Sequence, residues 1–333
     1  MSQSGPETTA AIESSADEVV PEAIRGRSPR ELALIRFRRD KGSMISLGVV
    51  LLFLFVAVIS PVLTKLKVFK PYTTNFPLLD IENGAIPKGN WGGISWAHPL
   101  GLTPGTGTDV LSRLMLGMTY SITIALLSAV LTVALGTALG IIAGTSGGWI
   151  DAIIGRIIDM TLSFPQTLML LSLSSTLTVT LEQMGVPKGN FARGTYLILV
   201  LAVFGWPSFA RIVRGQVLSL REREFVEAAH VFGASRWRIY FKEMLPNLWA
   251  PILVYFTLTM PAYVSAEAAL SFLGVGVKTP TPTLGNTLSD SVNYYGSDLV
   301  YFFVPAVVLA AVVVSFNLLG DGLRDALDPK ADR

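Results

Sequence analysis

The chain has 333 residues, of which 51% are hydrophobic and only 15% charged, with a formal net charge of +2. An average soluble domain carries roughly 25% charged residues, so this chain has too little polar surface for water. The small net charge offers no footprint for nucleic acid, and the absence of cysteine excludes disulfides, thiolate metal sites and cysteine nucleophiles.

Residues 1–43 read as a cytoplasmic N-terminal tail. Its first 24 residues hold Glu7, Glu13, Asp17, Glu18 and Glu22, many Ser, Thr and Ala and no base, a composition expected to be disordered. The sign then reverses with Arg25, Arg27, Arg30, Arg36, Arg38, Arg39 and Lys41. The apolar run that follows is longer than the core of a signal peptide, so it is expected to be a retained first helix.

Six apolar runs are long enough to cross a membrane as helices, at approximately 44–66, 119–144, 157–181, 196–213, 248–273 and 299–320. A helix needs about 20 residues to cross the hydrocarbon core, whereas a barrel strand needs only ~10 of alternating polarity, so the fold class is an all-α integral membrane protein. Basic residues flank the first run and fill the stretch between the fourth and fifth, with Arg214, Arg221, Arg223, Arg236, Arg238 and Lys242. That asymmetry predicts cytoplasmic N- and C-termini. Residues 67–118 become an extracytoplasmic loop, 119–320 a five-helix core and 321–333 a cytoplasmic tail.

Gly136, Gly140 and Gly144 recur every four residues in the second run and predict a face where another backbone approaches closely. Pro165, Pro207 and Pro261 predict kinks. Arg156 and Asp159, three apart, read as a local ion pair. Glu267 is a lone acid in the fifth run, read either as a structural hydrogen-bonding group or as part of a substrate path or gate. His98 and His230 read as surface histidines, with no metal site.

Residues 219–233, in the predicted cytoplasmic loop, have the grammar of a short independent helix. Ser219 and Glu222 are spaced as a capping box, and Gly233 stands where a left-handed residue would end it. Phe225, Ala228, Ala229 and Phe232 fall at i, i+3, i+4 and i+7, an apolar stripe under a charged surround that includes Glu227. So short a helix needs a surface to bury that stripe: its own bundle, the bilayer, or a groove on a partner.

Glu227-Ala228-Ala229, then Gly233, and later Leu245-Pro246-Asn247, resemble the Glu-Ala-Ala loop of permease subunits in bacterial ATP-binding-cassette importers. Asp109-Val-Leu-Ser-Arg113, Gly147-Gly148-Trp149-Ile-Asp151, Leu162-Ser-Phe-Pro165, Glu267-Ala-Ala-Leu-Ser-Phe-Leu-Gly-Val-Gly276 and Asn317-Leu-Leu-Gly-Asp321 resemble the dipeptide, oligopeptide and nickel branch, in particular its second permease, the oligopeptide permease C type. The resemblance implies a type I importer transmembrane domain in a bacterial cell membrane. It makes Ser219, Glu222, Phe225, Glu227, Ala228, Ala229, Phe232 and Gly233 the expected ATPase-coupling segment. It also implies a homologous second permease, two ATPase subunits or domains and an extracytoplasmic peptide-binding protein as partners.

No Gly-x-x-x-x-Gly-Lys-Ser/Thr phosphate cradle occurs in the chain, so ATP and Mg are expected on partner subunits and the chain is expected to be non-catalytic and to bind no cofactor. Within the family the alternative cargo is nickel or another small solute. The alternative from another class is a membrane scaffold or channel gated by a cytosolic protein.

Overall fold

The computed structural model describes residues 29–89 and 91–327, and the predicted disordered tail lies outside the described residues. Helix α1 (Pro29–Arg39) is followed after one residue by α2 (Lys41–Lys65). Asp40 between them caps α2, accepting from the amides of Gly42 (3.2 Å) and Ser43 (2.9 Å). The Ser43 hydroxyl and amide hold the Asp40 carboxyl below its ordinary range. The region predicted as a tail up to residue 43 thus includes a helix, with Phe37 buried against the bundle.

Five helices among the described residues are long and apolar enough to span a membrane. They are α2, α3 (Val110–Ser146), α7 (Asn190–Leu220), the stretch Arg236–Phe272, and α12 (Leu299–Leu327). The α3 helix has 37 residues, about 55 Å at 1.5 Å per residue, well beyond a hydrocarbon core of about 30 Å.

The third predicted span is not one helix. It is broken into α4 (Gly148–Ser163), α5 (Gln166–Ser172) and α6 (Ser174–Gln183). Pro165 forces the residue before it out of the helical region, and Phe164 is extended at φ −88° and ψ 133°. The three pieces still follow α7: Asp151 meets Arg214 in its C-terminal part, and the Tyr196 hydroxyl in its N-terminal part donates to the Leu170 carbonyl. Among the described residues the chain therefore runs six times along the bundle, five times as a continuous helix. The other two prolines behave differently, since α7 and α10 (Leu245–Phe272) continue through Pro207 and Pro261.

The fifth passage begins earlier than predicted. A single turn, α9 (Arg236–Arg238), runs through a π-helical stretch, Ile239–Met244, into α10. Pro246 explains the wider turn, because its ring would clash with the carbonyl four residues back in a regular helix. The stretch 274–298 between the fifth and sixth runs contains a further helix, α11 (Leu284–Val292), begun by a capping box between Thr283 and Asn286. Asn190 ties two connecting loops together, donating to the Lys278 carbonyl (2.6 Å) and accepting from its amide (2.9 Å). In the long loop, β1 (Leu79–Asp80) pairs antiparallel with β2 (Ile86–Pro87).

Candidate functional site

The glycine stripe of α3 faces α7 of the same chain. A Cβ on Gly136 would lie 2.9 Å from the Phe209 ring, one on Gly140 2.8 Å from the Ala210 carbonyl, and one on Gly144 2.6 Å from Val217. The two backbones meet because nothing stands between them. Along this seam Ile141, Phe209, Val213 and Val217 join Val226, Ile239, Met244 and Leu248 in a buried cluster linking α3, α7 and the start of α10.

On that cluster sits α8 (Glu224–Val231). Val226 is fully buried and Ala229 half-buried, so this side of the helix is its anchor. Phe225, Glu227, Ala228 and Phe232 are exposed, Phe232 by 88%. Three members of the predicted stripe are therefore left uncovered by the described residues, while Ala229 turns inward beside Val226. Sequence reasoning missed Val226; its signal was the 226/229 spacing, one residue out of phase with the aromatic pair.

The predicted start of this helix is wrong and its end is right. Ser219 lies in the last turn of α7, Glu222 is in an exposed turn, and the cap position is Arg223, which makes no side-chain cap. Buried Val213 and Val217, continued by half-buried Leu220, carry the apolar face of α7 past Ser219, and tertiary packing overrides a local cap. At the other end Gly233 has φ +73° and its amide donates to the His230 carbonyl (3.0 Å), while the Ala234 amide donates to the Ala229 carbonyl (2.9 Å). Those two bonds are a Schellman motif, in which glycine avoids the Cβ penalty of the left-handed conformation.

Glu267 has zero exposure among the described residues. Its carboxylate accepts from Ser121 of α3 (2.7 Å) and Ser271 of α10 (2.8 Å), and the Ser121 oxygen in turn accepts from the Leu284 amide (3.0 Å). Of its two predicted roles, the geometry is that of a structural hydrogen-bonding group joining α3, α10 and α11. Gly285 allows the joint, since a Cβ there would sit 2.5 Å from the Ala268 Cα. Glu267→Ala would leave two buried hydroxyls without their acceptor, an expected loss of about 1–3 kcal/mol, read as a lower unfolding temperature in detergent. An unchanged temperature would remove this role.

Arg156 and Asp159 do not pair with each other. Asp159 accepts from Arg211 of α7 (2.6 Å), and Asp151 takes Arg214 through two bonds of 2.5 and 2.7 Å. Helix–helix packing offers Asp159 a partner that sequence spacing cannot show. His98 is likewise more than a surface residue, its Nδ1 lying 3.0 Å from the Asp109 carboxylate that caps α3.

Residues 136–333 match the family model described as the binding-protein-dependent transport system inner membrane component, and residues 28–83 match the N-terminal TM domain of oligopeptide transport permease C. The chain is similar to the oligopeptide transport system permease protein OppC of Bacillus subtilis, with 36% identity covering 90% of this chain and 88% of that protein. It is similar to the dipeptide transport system permease protein DppC of Haemophilus influenzae, with 32% identity over 93% and 98% of the two chains. It also resembles the glutathione transport system permease protein GsiD of Salmonella typhimurium, with 35% identity over 94% and 93%. Among solved structures, a MetNI methionine ABC transporter chain aligns with 20% identity and a TM-score of 0.49, covering 66% of this chain and 97% of that one.

Proposed function

The chain belongs to the family of binding-protein-dependent transport system inner membrane components, and from that premise we propose that it is a permease subunit of an ATP-driven peptide importer. The observation that carries the peptide assignment is identity of 32–36% to oligopeptide, dipeptide and glutathione permeases along at least nine-tenths of this chain. The subunit forms half of the translocation path with a homologous second permease. It receives peptide from an extracytoplasmic binding protein and takes its energy from two ATPase subunits, which hold the ATP and Mg.

The exposed aromatic and alanine face of α8 is the docking surface for the ATPase. Its anchorage on the cluster shared by α3, α7 and α10 makes it a lever: displacement of α8 pulls on three passages at once. Reconstituted with all its partners, the complex is expected to accumulate labelled peptide in an ATP-dependent manner, whereas this chain alone accumulates none. ATP-driven uptake by the isolated chain would overturn the assignment.

The proposed orientation puts both termini and α8 in the cytoplasm. The chain has no native cysteine, so Thr106→Cys and Ser235→Cys, both at exposed positions, give clean reporters. In intact cells an impermeant thiol reagent is expected to label position 106 and spare 235. Labelling at 235 from outside would invert the topology.

A further inference from the structure

We propose that the charged hollow between α4 and α7 lines the peptide's route and that Arg156 takes the C-terminal carboxylate of the peptide in transit. The inference rests on the importer reading given above.

Helix α4 is poorly covered by its own chain. Only Ile154 and Ile158 are buried, toward Trp206 and Ala210. Its open side carries charge: Asp159 and its partner Arg211 are 64% and 57% exposed despite their bond. Beside them lies a hollow of about 290 Å³ lined by Asp151, Gly155, Arg156, Asp159, Arg211 and Arg214. Two carboxylates there each hold one guanidinium, and Arg156 has no ion-pair partner among the described residues. The hollow is thus left with one uncompensated positive charge, suited to an anionic group. Gly155 keeps it open, since nothing lies within 4 Å of where its Cβ would be.

Such a surface does not fit against lipid tails. Lys and Arg can reach the headgroups along their stems, but a short aspartate cannot, so an exposed Asp159 at the entrance to a hydrocarbon-length run calls for water or protein. From Met160 to Leu181 the chain has no ionisable acid or base, which places Asp159 at that entrance. A second observation points the same way. The helix break at Phe164 and Pro165 is exposed along with residues 162–168 around it. Non-helical backbone at membrane depth is tolerated only beside a water-filled cavity or under other protein. Both features lie on the same half-covered segment, and a passing peptide brings the carboxylate that the unpaired guanidinium lacks.

The test uses the complete importer in proteoliposomes, offered one peptide with a free C-terminal carboxylate and the same peptide as its C-terminal amide. Arg156→Gln is expected to lower uptake of the free acid about tenfold and to leave the amide unchanged, with Arg156→Lys keeping most of the activity. In Arg156→Cys, a water-soluble thiol reagent is expected to react, and saturating peptide to slow that reaction. Equal effects on acid and amide, or no reaction at position 156, would overturn the inference while unmodified importer still transports. Loss of the second permease from Arg156→Gln would also overturn it, by assigning the hollow to a subunit contact. Failure of the unmodified complex to take up either peptide would instead sink the importer reading on which the inference stands.

Discussion

Ala228→Trp is expected to strip the ATPase from the permease without unfolding it. Ala228 is exposed on α8, whereas the helix is held to its own chain through Val226 and Ala229 on the other side. A bulky ring at 228 therefore meets nothing within this subunit. In a close joint with a partner it is overpacked, a defect that commonly costs about 1–3 kcal/mol, or roughly a tenfold to hundredfold loss of affinity. The readouts are the amount of ATPase that co-purifies in mild detergent and peptide-stimulated ATP turnover in proteoliposomes. Both are expected to fall, with the unfolding temperature of the permease unchanged. Full retention of both would show that α8 is not the coupling element.

Gly140→Leu is expected to have the opposite signature, destroying the fold before any question of partners arises. The new Cβ would stand 2.7 Å from the Val213 Cβ and 2.8 Å from the Ala210 carbonyl. The carbonyl belongs to the backbone of α7 and has no rotamer to give. The helices must part, and the buried cluster that Phe209, Val213 and Val217 share along the seam opens with them. Overpacking of this kind costs about 3 kcal/mol, a large share of the stability of an ordinary domain. The expected result is aggregation or a sharply lowered unfolding temperature in detergent. Gly215→Ala is the control: it lies in α7, the other helix of the pair, and nothing stands within 4 Å of its Cβ position. Replacing a mid-helix glycine there is expected to raise stability slightly. If Gly140→Leu unfolds no earlier than this control, α3 and α7 do not meet through the stripe.

The two experiments separate two kinds of surface that the sequence presents in similar terms. Glycines every four residues and an apolar stripe on a short helix both announce contact, and neither says with what. The structure gives the glycines to α7 and leaves three members of the stripe open. The coupling proposed for α8 then has a physical route, because Val226 packs with residues of α3, α7 and α10.

Features written in neighbouring residues were legible from the sequence alone. Five of the six apolar runs emerge as long continuous helices, since crossing length depends only on an unbroken run of side chains that prefer hydrocarbon. Gly233 ends α8 as its position implied, because a left-handed cap is a property of one residue and its two adjacent hydrogen bonds. Tertiary packing decided the rest. It carried α7 through Ser219, where a capping box had been legible, because burying Val217 outweighs a local side-chain bond. It gave Asp159 to Arg211, 52 residues away, in place of Arg156 three residues away. It also enclosed Glu267 between two serines, one of them 146 residues distant. Periodicity, caps and breaks are short-range energies readable along a chain, whereas the partner of a buried or paired group is chosen by which helices come to lie side by side.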